Sequence, residues 1–304
     1  NEFQGVMKLL SEEHIMYDLI IPSLLGTDRT PRKLDDYDLI ILDDISDMND
    51  DLIAIIDSYV EKGGKLLVTG ASSTNDEMGK PLNIIRLKSL GVNPEYNVFP
   101  QAEATYLKVL EADKQAFGLK EFKDFTLMMM NSTFLKCKVK EGAQSYLRLL
   151  PTNMFGPAEK TYYSEDEITD FPGVVSYKYG KGTTVFIPWM IGSDYNAKGN
   201  YAQRALFLGS IKNILGIESD FETNASPVIE MSRLANMNGA FEWVGMINHS
   251  GFLGNSVRDP VIIHNTTIRL RPLKPVKEVR LMRSGESIPF KQNGGWIEYI
   301  VPEI

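Results

Sequence analysis

The chain has 304 residues, 43% of them hydrophobic and 24% charged, a composition typical of folded proteins and a length that allows about two domains. Its 32 Lys and Arg against 40 Asp and Glu give a formal net charge of −8, without the basic surface that nucleic acid requires. No apolar run approaches the roughly 20 residues that cross a bilayer, and the sequence leaves the compartment open, periplasmic and extracellular locations included. The single cysteine, Cys137, excludes an internal disulfide.

The first part of the chain has the pattern of a β–α–β unit. Near-helical apolar spacing predicts a helix at the start, and the run 17–21 predicts a short strand. Apolar strands over 39–42 and 65–69 flank an amphipathic helix. Strands that are apolar along their length and alternate with such helices indicate an α/β domain with a doubly wound, mostly parallel sheet, flavodoxin-like or amidotransferase-like.

The middle of the chain loses this helical rhythm. We predict an irregular insertion over about 91–172, after which a hairpin over 174–187 and a helix over 200–215 complete an α/β domain of residues 1–219. Strand-like pieces within the insertion lie at 105–110, 134–139 and 146–150.

Short alternating stretches separated by turn residues follow this domain. They predict a C-terminal antiparallel β-sandwich over residues 220–304. Its strands are expected at 228–234, 241–248, 261–270, 276–281 and 296–301.

Catalysis by a nucleophile finds little support in the residues. A class I glutamine amidotransferase carries its Cys on a sharp strand-to-helix turn, whereas the matching turn here, 69–73, contains Ser72 and Cys137 lies in the insertion. Ser72 lacks the G-x-S-x-G elbow, and no triad with a histidine is visible. We therefore interpret Ser72 first as a structural turn residue, and keep a ligand-binding role as the alternative.

Metal, cofactor and glycosidase sites are equally hard to assemble. The chain lacks a glycine-rich nucleotide loop, and the acids at 43–51 lack the pattern of a calcium loop, so no cofactor and no metal are predicted. Glycoside hydrolysis needs two carboxylates held by a barrel of about 250 residues, for which this chain has no room. The acids considered are Asp43, Asp44, Glu165, Asp166, Glu167, Asp170 and Asp194, and none is predicted to be catalytic.

One loop has the residue types of a sugar site. The segment 187–192 leaves a strand, and an aromatic ring (Trp189), a carboxylate (Asp194) and a phenol (Tyr195) follow one another there. Aromatic faces with nearby acids suit sugar stacking and hydroxyl binding, at an edge where α/β sheets place ligands. These three residues and Ser72 are the ligand-binding candidates, with domain packing as the favoured competing role.

Several segments in order resemble the β-galactosidase trimerisation domain, which has a class I glutamine amidotransferase-like fold. The motif Tyr-Val-x-x-Gly-Gly-x-Leu-Leu-Val-Thr-Gly at 59–70 is the longest of them. Together with 279–286, their order is similar to the C-terminal half of hypothetical glycosyl hydrolases, in which a barrel precedes this region. The other matching segments are 3–5, 10–18, 37–42, 172–175, 179–182, 187–189 and 195–199.

The resemblance implies a non-catalytic assembly and substrate-framing region of a glycoside hydrolase that acts on carbohydrate. Its partners would be carbohydrate, through the parent enzyme, and further copies in a homo-oligomer. No catalytic residue carries over, because the family's catalytic positions belong to the barrel. The chain lacks the strand expected before its first helix and a further edge strand after Ile304, so we expect a partial chain. A carbohydrate-binding module and a stand-alone hydrolase with an amidotransferase-like fold are the alternatives.

Overall fold

The computed structural model describes residues 1–25, 33–100, 105–119, 124, 126–150, 168–236 and 238–304. They form two compact units, of which the first comprises Asn1–Val6 with Ile20–Ile217 and the second Met7–Leu19 with Glu218–Ile304. The segment 7–19, predicted as part of the α/β domain, thus groups with the C-terminal unit. Among the described helices, none has the length and apolar character needed to cross a bilayer.

The β–α–β unit is confirmed. Helix α1 spans Glu2–Glu12, strand β1 Ile40–Asp43, helix α2 Asp50–Lys62 and strand β2 Lys65–Thr69, with β1 and β2 parallel. The Asn49 side chain caps α2 by accepting from Leu52 N at 2.8 Å, and Gly63 ends the helix with φ of 126°.

The short strand predicted over 17–21 does not form. These residues have no regular structure, and two of their apolar side chains, Leu19 and Ile21, are exposed. Two single-turn 3₁₀ helices follow, Pro22–Leu24 and Leu34–Asp36. A strand needs a paired neighbour to satisfy its backbone, and composition alone does not supply one.

The region predicted as an irregular insertion contains strands and a helix in its described residues, and the strand-like pieces predicted at 105–110, 134–139 and 146–150 correspond to three of the strands. Its strands are short and mostly antiparallel. Their sequence therefore has no helical periodicity and does not show which strands pair. Three of them, β4, β5 and β7, extend the main sheet, whereas β3 and β6 pair with each other. Its elements are β3 (Val92–Phe99, after a 3₁₀ turn at Lys88–Leu90), β4 (Thr105–Lys108), α3 (Glu111–Phe117), β5 (Leu127–Met130), β6 (Phe134–Val139) and β7 (Gln144–Leu150).

The predicted hairpin and helix close the first unit as β8 (Pro172–Tyr179), β9 (Gly182–Ile187), α4 (Ile191–Lys198) and α5 (Tyr201–Gly209). The sheet order is β1-β2-β9-β8-β7-β4-β5. Only β1, β2 and β9 run parallel among the described strands, because the β8–β9 turn reverses the chain direction and antiparallel pairs follow. The sheet is therefore mixed, not mostly parallel.

The second unit consists of antiparallel sheets, as its turn-rich sequence predicts. A four-stranded sheet has the order β10-β13-β17-β16, and β11–β12 and β14–β15 are two-stranded. Met231, Val244 and Met246 of β11–β12 pack into one apolar core with the four-stranded sheet. The strands are β10 (Phe221–Thr223), β11 (Ile229–Ala235), β12 (Glu242–Asn248), β13 (His264–Leu270), β14 (Val279–Arg280), β15 (Ser287–Ile288), β16 (Phe290–Asn293) and β17 (Trp296–Glu303).

Candidate functional site at the carboxyl edge of the parallel strands

The three parallel strands end side by side at Asp43, Thr69 and Ile187. In open α/β sheets ligands bind outside the carboxyl ends of the strands. We call residues 43–44, 69–73 and 188–195, together with Glu2, the carboxyl edge. All four candidate residues from the sequence lie in it.

Trp189 is fully buried and serves the core. Its indole Nε1 donates a hydrogen bond to the carbonyl of Gly173 at 2.9 Å. No ring face is open to solvent, which agrees with the packing role that the sequence favoured for Trp189 over sugar stacking. The burial of so large a side chain contributes about 1.5–3 kcal/mol or more to stability.

Ser72 is a structural turn residue. Its hydroxyl donates a hydrogen bond to Thr69 O at 2.9 Å and accepts one from Ile45 N at 3.0 Å. Backbone groups thus use the hydroxyl both as a donor and as an acceptor. The side chain ties the turn after β2 to the turn after β1. This geometry agrees with the favoured interpretation of Ser72 as a turn residue. The partners of its hydroxyl are backbone groups, and none of them is a base that could activate a nucleophile.

Asp194 and Tyr195 lie in α4 and are both buried. Asp194 Oδ2 accepts from Asn131 N at 2.9 Å, which anchors α4 to the turn after β5. Burial raises the pKa of Asp194, against the lowering effect of hydrogen bonds from Asn131 and Ser132. These residues join secondary-structure elements and present no open surface.

Glu2 is the residue of the carboxyl edge that the sequence did not reveal. Its side chain is only 2% exposed, and Oε2 accepts from Ser193 N in the first turn of α4 at 2.7 Å. Oε1 and the buried Thr69 Oγ1 both lack a hydrogen bond of normal geometry. Burial raises the pKa of Glu2 to about 7, with Asp44 adding a smaller rise, while the Ser193 N–H, the Thr69 hydroxyl and the Gly192 backbone lower it.

Asp44 and Gly70 fit together in the neighbouring turns. Asp44 Oδ1 accepts from Ala71 N at 2.7 Å, and a β-carbon on Gly70 would lie 2.3 Å from that oxygen. Gly70 also has φ of +61°, which favours glycine. Burial raises the pKa values of Asp43 and Asp44.

The carboxyl edge has buried acids but no visible nucleophile–base pair. The histidines belong to the second unit, where His14 Nε2 contacts Ile229 O at 2.9 Å, His249 pairs with Glu230 and His264 lies near Glu303. Burial raises the pKa of Cys137 to about 12, so its thiol is not activated. Among described side chains, no group of three His, Cys, Asp or Glu suits a metal ion.

One of the remaining acids considered from the sequence is described, and it does not belong to this edge. Asp170 is exposed at the start of the segment that leads into β8. Glu165, Asp166 and Glu167 lie outside the described residues. The buried side chains described at the edge hold neighbouring turns and helix ends together.

Solved structures of glycoside hydrolases resemble this chain over almost its entire length. The α-L-fucosidase isoenzyme 2 from Paenibacillus thiaminolyticus matches 99% of the chain with a TM-score of 0.71 and 18% identity. The β-galactosidases from Rahnella sp. R3 and Bacillus circulans sp. alkalophilus match 98% and 99% of it, with TM-scores of 0.59 and 0.58 and identities of 16% and 14%. Chains of glycoside hydrolases therefore contain this fold.

The likeness concerns the fold alone, because the sequences are so different. The chain spans 43% of the fucosidase chain, 35% of the Rahnella β-galactosidase and 36% of the Bacillus enzyme. Neither a protein-family model nor a curated protein matches the sequence.

Proposed function

We propose that this chain is a non-catalytic assembly and substrate-framing region of a glycoside hydrolase that acts on carbohydrate. The observation that carries the proposal is the asymmetric coverage: the fold likeness takes in 98–99% of this chain but 35–43% of the matched enzymes. The buried, backbone-bonded Ser72 and the buried Cys137 support a role without catalysis. In this proposal the first unit is the amidotransferase-like domain and the second a sandwich.

A turnover assay tests the non-catalytic part of the proposal. The purified chain is incubated with 4-nitrophenyl α-L-fucopyranoside and 4-nitrophenyl β-D-galactopyranoside, and no release above buffer is expected. Ser72→Ala and Cys137→Ala serve as matched variants. Turnover that either substitution abolishes would establish the alternative, a stand-alone hydrolase.

The coding sequence tests the enzyme context. We expect the reading frame upstream of Asn1 to encode a barrel with two acids at strand ends, as glycosidase chemistry requires. A start codon directly before Asn1 would contradict the proposal.

Self-association tests the assembly role. The resemblance to a trimerisation domain leads us to expect a homo-oligomer, measured by light scattering over a range of protein concentrations. A mass equal to one chain at every concentration would contradict this part of the proposal and leave the turnover result unaffected.

A further inference from the structure

The β11–β12 hairpin presents one face to solvent. Residues opposite each other in the register are Leu234 with Trp243, Ser232 with Gly245, and Glu230 with Ile247. They alternate with the side chains that pack into the core of the second unit, so they share the other face. We call these six residues the outer hairpin face. Trp243 is 46% exposed there.

Gly245 determines how the tryptophan lies. A β-carbon at Gly245 would be 3.3 and 3.4 Å from Cζ2 and Cη2 of the Trp243 indole, and 2.7 Å from Ser232 Oγ. The benzo ring therefore leans along the strand above Gly245, and the Ser232 hydroxyl lies beside the same position. Because position 245 has no side chain, the Trp243 ring can lie over the strand, and nearly half of Trp243 remains exposed to solvent.

A carboxylate and an imidazole lie next to each other farther along the same face. Glu230 Oε2 lies 2.8 Å from His249 Nε2, and both side chains are exposed. Successive residues on one face of a strand are about 7 Å apart. An aromatic ring, a hydroxyl and a carboxylate thus follow one another over three successive rows of this face, and His249, just beyond β12, contacts the carboxylate.

We propose that the outer hairpin face binds a pyranoside. The apolar C–H face of the sugar stacks on the open indole of Trp243, and its hydroxyl groups bond to Ser232 and to the Glu230–His249 pair. A pyranose matches this sequence of groups because it has an apolar face and a rim of hydroxyls. Sugar stacking, the less favoured of the two roles considered for Trp189, is thus proposed for the exposed Trp243.

The polar groups favour a sugar over larger partners. Cores of protein interfaces are depleted in charged residues, whereas the Glu230 carboxylate lies directly beside the apolar part of this face. A carboxylate and a net charge of −8 disfavour a nucleic acid, whose bases also stack on aromatic rings. The inference does not depend on the proposed glycosidase context.

Calorimetric titration of the chain with methyl glycosides tests the proposal. The probes are methyl β-D-galactopyranoside, methyl α-L-fucopyranoside, methyl β-D-glucopyranoside and methyl α-D-mannopyranoside. We expect saturable binding of at least one of them. Trp243→Ala should weaken it by about tenfold or more, the effect of losing one stacking contact.

Two further variants separate stacking from folding. Gly245→Val should weaken binding similarly by displacing the indole while leaving the tryptophan in place. Trp296→Phe is the matched control, since its ring lies under Arg269 and Arg271, at 4.4 and 4.8 Å, and should bind as the unaltered chain does. Circular dichroism checks that each variant is folded.

Three results would overturn the proposal. One is the absence of saturable heat with all four glycosides. Another is binding that folded Trp243→Ala and Gly245→Val variants retain in full. The third is self-association of the chain that Trp243→Ala abolishes while no sugar binds, which would assign the face to a second copy. All three differ from failure of the turnover or coding-sequence tests.

Discussion

Gly5 of α1 and Gly192 of α4 meet backbone to backbone. A β-carbon on Gly5 would lie 1.7 Å from the Gly192 carbonyl oxygen, and one on Gly192 would lie 2.6 Å from Glu2 O. Only glycine permits this approach. The contact brings the first turn of α1 close enough for the Glu2 carboxylate to accept from Ser193 N, which places an acid inside the carboxyl edge.

Gly5→Ala should destabilise the protein. In an exposed helix this substitution gains about 1 kcal/mol, because alanine is the better helix former. Here the new methyl group meets a backbone carbonyl that has no room to move, and we expect a cost of about 1–3 kcal/mol or more. Urea unfolding followed by circular dichroism measures the difference.

Gln4→Ala is the control for this change, since it alters the same helix at an exposed position. Its effect should stay within about 0.5 kcal/mol. Equal stability of Gly5→Ala and the unaltered chain would show that α1 and α4 do not meet as described.

Glu2 should make the protein less stable as pH rises toward neutrality. Its pKa lies at about 7 in the folded chain against an ordinary value of 4.5. Between these values the folded state keeps a proton that the unfolded state releases, so the free energy of unfolding falls. The full shift corresponds to roughly 3 kcal/mol, present below pH 4.5 and lost by about pH 7 and above.

Glu2→Gln should remove this dependence, because the amide stays neutral and its oxygen still accepts from Ser193 N. We expect the variant to exceed the unaltered chain in stability at pH 8 by roughly 1–3 kcal/mol and to match it at about pH 4. Unfolding in urea at several pH values gives both curves, and Asp43, Asp44 and Asp194 titrate in both proteins. Glu77→Gln, on an exposed loop, should change nothing. Parallel curves for Glu2→Gln and the unaltered chain would contradict a buried, protonated Glu2.

Local signals predicted the parallel part of the fold well. The apolar runs, the helix over 50–62 and the glycine stop at Gly63 each act over a few residues, so they survive in the sequence. The antiparallel extension through β4, β5 and β7 depends on pairing between distant segments. Short alternating strands show this pairing only after the chain folds.

The candidate residues from the sequence all lie at the carboxyl edge, but the sequence does not show how deeply they are buried. Trp189, Asp194 and Tyr195 do lie together, yet burial depends on neighbours that are distant in sequence. A glutamate in the first turn of a helix is usually exposed and interacts favourably with the helix dipole. For this reason its position in the sequence did not indicate that Glu2 is buried. Gly5, an isolated glycine in a regular helical pattern, is the signal that marks a close approach there.

Cys137 should be unreactive toward thiol reagents in the folded protein. It is buried in the core of the first unit, and burial raises its pKa to about 12, so little thiolate forms at neutral pH. Ellman's reagent should label it only after local or global opening, and rapidly in concentrated guanidinium chloride. Lys138→Cys, at the exposed neighbouring position, should add one fast thiol. Immediate labelling of Cys137 in the native chain would contradict its burial.

Trp189→Phe should cost stability without affecting any sugar titration. The substitution removes the donor that reaches Gly173 O at 2.9 Å and leaves a gap in a closed core, so we expect a loss of roughly 2–4 kcal/mol. Trp296→Phe, at a partly exposed ring, should cost less than about 1 kcal/mol.

Urea unfolding and acrylamide quenching together decide whether Trp189 packs or binds. A buried indole keeps its emission in acrylamide, and its loss lowers the free energy of unfolding. A ligand-stacking indole behaves in the opposite way, since it is quenched readily and its replacement weakens binding at unchanged stability. Full stability of Trp189→Phe together with weakened glycoside binding would contradict the packing role of Trp189. It would indicate that Trp189, and not Trp243, stacks on the sugar.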